Sequence, residues 1–141
     1  MSELDDFLSE VLPQLEAEIT AIHNGDTAPR KALWSRHDPL TLFGAKYSGR
    51  GWGEIEPIFD KLAQTFTGSE SFAYELVGAD TSGDLGYVVG IERSVAAIDG
   101  TMRSYALRVT TILRREAGAW KVVHRHGDAL GDNAQGVVAS L

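Results

Sequence analysis

The sequence predicts an α+β fold, a cone-shaped roll in which three N-terminal helices pack on a strongly curved, mainly antiparallel sheet. Three observations carry this. Up to about residue 66 the apolar residues recur at helical spacing; beyond it they alternate; and the alternating half is cut by short turn sequences that suit a meander. Long strands on a small sheet must twist and bend. The resulting curl buries the helical stripes and leaves a concavity, where a ligand pocket is expected.

Leu4, Phe7, Leu8, Val11, Leu12, Leu15, Ile19 and Ile22 form one stripe, with Ser2 and Asp5 able to cap its start and Asn24-Gly25 its end. Pro13 interrupts this helix and predicts a kink, or a start near that residue. Asp26-Thr27 before Pro29 opens a second helix running to about Trp34, and Asp38-Pro39 forces extended backbone ahead of a short strand, Leu40 to Phe43. Gly44 to Gly53 reads as a loop, and Ile55, Ile58, Phe59, Leu62, Ala63 and Phe66 as a third helix ended by Gly68. Strands follow at 71–79, 85–98, 102–115 and 119–127, joined by Ser82-Gly83-Asp84, Asp99-Gly100 and Ala117-Gly118.

The 141 residues, 43% hydrophobic and 23% charged, fit one domain over residues 1–128, with 129–141 as a Gly/Ala-rich C-terminal tail. No apolar run approaches the roughly 20 residues a membrane span needs, and the acidic start is unlike a signal peptide, so the expected location is cytoplasmic. The absence of cysteine excludes disulfides, thiolate metal sites and a cysteine nucleophile. A formal charge of −7 disfavours nucleic acid and anionic membranes as partners. There is no phosphate loop, because Gly49-Arg50-Gly51-Trp52-Gly53 has the wrong sequel, and no nucleophile elbow.

The order of elements, with Leu107-Arg108-Val109-Thr110 and the run Arg114-Arg115-Glu116-Ala117-Gly118-Ala119-Trp120-Lys121-Val122-Val123-His124-Arg125-His126, resembles the SnoaL-like branch of the nuclear transport factor 2-like superfamily. It is also similar to the association domain of calcium/calmodulin-dependent kinase II. The resemblance spans about Leu12 to Asp128 and implies the fold rather than one activity, since the superfamily holds ketosteroid isomerases, polyketide cyclases, a dehydratase and oligomerisation modules. It also implies a homodimer through the outer sheet face. The position of the isomerase base carboxylate corresponds here to Phe43, which cannot abstract a proton, so steroid isomerase chemistry does not carry over.

His124, His126 and Asp128 alternate with Trp120 and Val122, which places all five on one face and both imidazoles inside the cone if the Trp and Val are buried. Two imidazoles near a carboxylate can relay a proton. In the other reading, His124 is a core residue bonded to a hydroxyl such as that of Thr111, and His126 lies at the cone's mouth. As metal ligands on one strand, the three would splay over roughly 13 Å, too far for one ion. The register decides whether Arg108 and Thr110 face inward, and a bulge near Ala117-Gly118 would reverse it. The resemblance favours Arg108 inward, paired with Glu92 or binding a carboxylate ligand; Glu92 with Arg93 as an outward pair is the alternative. Trp34, Phe43, Tyr47, Trp52, Phe59 and Tyr105 offer an aromatic lining.

The function expected is a cofactor-free small-molecule pocket performing isomerase-, cyclase- or dehydratase-type acid–base chemistry. His124, His126 and Asp128 would be catalytic; Arg108, Glu92, Trp34, Phe43, Tyr47 and Thr110 would bind the ligand. The alternative is a non-catalytic binding or association module.

Overall fold

In the computed structural model, which describes residues 2–130, α1 runs from Glu3 to His23 as one element. Ser2 caps it reciprocally with Asp5. Pro13 does not divide it: the buried stripe of Phe7, Val11, Leu15, Ile19 and Ile22 stays in phase across the proline, which lies on the exposed side. α2 is a single short stretch, Ala28–Leu33, with Pro29 in its first turn and Asp26 accepting from the Ala28 amide.

The stretch expected to be a loop contains a strand. β1 (Thr41–Phe43) pairs antiparallel with β2 (Ser48–Arg50), and the Gly44 amide closes the turn on the Tyr47 carbonyl. Gly49 lies so close to α3 that an added Cβ would stand 3.1 Å from Ile58. α3 (Trp52–Thr65) starts from Gly51, whose φ of 76° glycine tolerates best, and stops at Thr65 rather than Gly68. Phe66 therefore belongs to β3.

β3 (Phe66–Ser82), β4 (Leu85–Ile98), β5 (Thr101–Glu116) and β6 (Ala119–Ala129) form the meander. Asp99-Gly100 and Ala117-Gly118 each place both turn residues at positive φ, the geometry that matches strand twist in a two-residue hairpin. Three register shifts in β3 coil the sheet around the helices. The six strands run in the order β2-β1-β6-β5-β4-β3, with β1 parallel to β6 and the other neighbours antiparallel.

One further shift matters most. Ile112 pairs with His124 but Leu113 pairs with Val122, so Val123 is an extra residue bulged out of the β5–β6 ladder. Trp120 and Val122 face the helices; past the bulge Arg125 and Gly127 do so, while His124, His126 and Asp128 turn to the outer face.

The concave face and helices enclose the core. Phe7 of α1 meets the Trp120 ring edge-on at 4.7 Å, and Trp34 meets Phe59 at 5.3 Å. Among the described residues, no helix is long and apolar enough to cross a membrane. Residues 131–141, most of the expected tail, lie outside the described residues.

Gly86 sets how closely α1 approaches the sheet, because a Cβ there would stand 2.7 Å from the Phe7 ring. Gly86→Ala should therefore destabilise the fold by about 1–3 kcal/mol through overpacking. Urea unfolding measures this, and an unchanged midpoint would contradict the packing described.

Candidate functional site

Inside the cone, a cavity is lined by Ile19, Ile22 and His23 of α1, by Arg30, by the Gly44–Tyr47 turn, by Ile58 and Leu62 of α3, and by Phe66, Glu92, Tyr105, Leu107, Arg125 and Gly127 of the sheet. The cavity volume is about 80 Å³, room for roughly six waters.

Its polar residues are held in pairs. Arg125 donates from both terminal nitrogens to Glu92, at 2.7 and 2.8 Å, with the two side chains only 11% and 5% exposed. Arg30 donates from Nε to Glu18 of α1, again almost fully buried. Such pairing, two-bonded for Arg125 and single-bonded for Arg30, offsets part of the cost of burying charge. Burial raises the Glu18 pKa, and the guanidiniums of Arg30 and Arg125 pull it back.

His23 is 3% exposed. Its Nε2 shares a 2.7 Å hydrogen bond with the Tyr105 hydroxyl. Its ring packs 4.4 Å from that of Phe66. Burial, reinforced by the positive charge of Arg30, lowers its pKa to about 4, so the imidazole is neutral at physiological pH. Its Nδ1 is buried without a partner among the described residues. Tyr74 also carries a partnerless buried hydroxyl, away from the cavity lining. Burial pushes the Tyr105 hydroxyl well above its ordinary range, so it stays protonated.

The outer face holds much of what the sequence assigned to the pocket. The shared inward face of Trp120, Val122, His124, His126 and Asp128 is corrected by the Val123 bulge, which reverses the alternation between the second and third of these. His124 Nδ1 shares a 2.6 Å bond with Thr41 Oγ1 rather than with Thr111, and desolvation together with His126 lowers its pKa. Phe43, 49% exposed, sets its ring near both His124 and His126, at 5.8 and 5.6 Å. Arg108 also points outward, forking onto Asp128 with side chains 61% and 50% exposed, and Thr110 lines the same outer cleft. Inward Arg108 is thus corrected: the alternate residues Tyr105, Leu107, Val109, Thr111 and Leu113 are buried on β5, and Arg108 lies between them on the other face. Glu92 does face inward, but its partner is Arg125. Tyr47 lines the cavity, whereas Trp34 is core and stands outside the lining. Among the described residues no three His, Asp or Glu side chains converge as metal ligands.

Glu18, His23, Arg30 and Arg125 were not among the sequence candidates. Glu18 and His23 had a legible signal, since they fall three residues after Leu15 and four after Ile19 on the apolar stripe. Arg125 was concealed by the bulge.

Arg125→Met should leave the Glu92 carboxylate buried and unpaired, costing about 3–5 kcal/mol, while adding Glu92→Leu should recover most of that loss. Denaturant midpoints of both variants test this; an Arg125→Met protein as stable as the parent would contradict the pairing.

No curated protein matches this sequence. Solved structures do. A ketosteroid isomerase-like protein from Erwinia carotovora atroseptica superposes with a TM-score of 0.71 at 19% identity, covering 89% of this chain and 97% of its own. A candidate dehydratase of the NTF2-like family from Streptomyces avermitilis gives 0.74 at 18%, covering 91% and 99%. A candidate calcium/calmodulin-dependent protein kinase type II association domain from Thiobacillus denitrificans gives 0.71 at 17%, covering 86% and 95%. At these identities the likeness establishes the fold alone. The family is fixed by residues 11–129, which match the SnoaL-like domain along its core elements, and the chain belongs to that family.

Proposed function

We propose that the protein binds a small, largely apolar organic molecule inside the cone and moves a proton on it, as an isomerase, cyclase or dehydratase would, with His23 as the proton carrier. The observation that supports this is His23, which lines an otherwise mostly apolar cavity and whose buried Nδ1 has no hydrogen-bond partner among the described residues. When Nε2 donates to Tyr105, Nδ1 is a free base; when Nε2 accepts, Nδ1 carries the proton. A proton taken from carbon beside a carbonyl and returned at a second position closes the cycle without a cofactor. Bases of comparably low pKa perform such abstractions elsewhere. Arg125 and Glu92 hold the wall, and the catalytic role first sought at His124, His126 and Asp128 passes to the interior.

The second reading is association. Leu85, Tyr87 and Val77 are large exposed apolar side chains on β3 and β4, and Val77 lines an outer cleft with Val89 and Ile91. A homodimer through this face would bury them, with Arg108, Asp128, His124 and His126 in or beside the contact.

Two measurements test these readings. In deuterium oxide, a panel of cyclic ketones and β-keto esters should exchange protons next to the carbonyl, with an acid limb near pH 4, below which the protonated imidazole cannot accept. His23→Gln should slow exchange by about 10²–10⁴; unimpaired exchange in that variant, or no exchange by the parent, refutes the catalytic role. For association, light scattering should give twice the chain mass for the parent and the single-chain mass for Ile91→Glu, and a monomeric parent would refute it.

A further inference from the structure

From the distribution of charge in and around the cavity, we infer that the ligand is a one-ended anion: an uncharged body with a single polar atom at His23, and an oxyanion that stays outside at Lys46 and Lys61. This rests on the reading of the cone as a small-molecule pocket and adds the ligand's class.

The interior refuses a charge. Its two guanidiniums and two carboxylates are committed to each other as Arg30 with Glu18 and Arg125 with Glu92, all four side chains at most 11% exposed. An anion entering would have to take Arg125 or Arg30 from its partner and strand a buried carboxylate. A cation would meet the same guanidiniums. His23, neutral and with one nitrogen committed to Tyr105, adds one hydrogen-bonding atom without adding charge.

The rim differs. Lys46 and Tyr47 belong to the cavity lining, and the ammonium groups of Lys46 and Lys61 lie 5.4 and 5.2 Å from the Tyr47 ring. The other two lysines are engaged: Lys31 with Glu56 and Asp60, Lys121 with the Ala32 carbonyl. Neither Lys46 nor Lys61 has a carboxylate within ion-pair distance among the described residues. In a chain of charge −7, two cations without an ion-pair partner among the described residues, both beside the cavity-lining Tyr47, form a local attractor for an anion.

Three naphthalenes of matched body test this by calorimetry at low salt: 2-naphthol, 6-hydroxy-2-naphthoate and naphthalene-2,6-dicarboxylate. The monoanion should bind about threefold to tenfold more tightly than the naphthol, and the dianion, which must send a carboxylate inward, more weakly than either. Lys46→Gln with Lys61→Gln, or high salt, should erase the advantage of the monoanion over the naphthol. His23→Ala should weaken naphthol and monoanion alike. Equal binding of those two, an advantage that survives the lysine substitutions, or a dianion that binds tightest overturns the inference and leaves the pocket standing. If none of the three binds, the pocket reading falls, and this inference with it.

Discussion

The fork between Arg125 and Glu92 is the contact on which the rest of the interior depends. It joins β6 to β4 across the intervening β5, within a cavity where an unpaired member of either sign would be strongly unfavourable. The fork exists because Val123 bulges. Without that extra residue, strict alternation from Val122 would send Arg125 to the outer face and put His124 inside. A shift of one residue thus decides whether the cone contains a guanidinium or an imidazole from β6.

The cone's own imidazole comes from the opposite wall. His23 closes α1, where the helical stripe meets the sheet, and its bond to Tyr105 ties the helix end to β5. Glu18, five residues earlier on α1, receives Arg30 from α2 and feels the charge of Arg125. The helices and the sheet therefore share one charge-balanced network rather than two independent ion pairs. This arrangement explains a neutral His23: burial disfavours its cation, and the positive charge of Arg30 acts in the same direction. The outer face follows other rules. Its Arg108–Asp128 fork is largely hydrated, and its exposed Phe43 and Tyr87 leave apolar surface that a partner would cover.

The fold was legible because its signals are local. The α1 stripe, the glycine-containing hairpins and the long alternating segments each declare themselves within a few residues, and the helices and meander follow from them. Boundaries were less so: Phe66 continues the helical stripe by spacing yet starts β3, since an aromatic side chain serves either element. The site was mostly illegible. Val122 and Val123 are chemically identical and both are buried, so nothing in the residues says which one is extra. Glu18 and His23 were readable in principle, as polar residues lodged in an apolar stripe. Glu92 faces inside, one of the two orientations that its sequence neighbours allow, and its partner depends on the bulge.

The most direct test of this account is the titration of the His23 imidazole by nuclear magnetic resonance, with His23→Gln used to assign its signals. A neutral ring down to about pH 4, with one nitrogen hydrogen-bonded to Tyr105, is the predicted result. A ring that gains its proton near 6.5, like a solvated histidine, would contradict the buried, charge-compensated setting described for it.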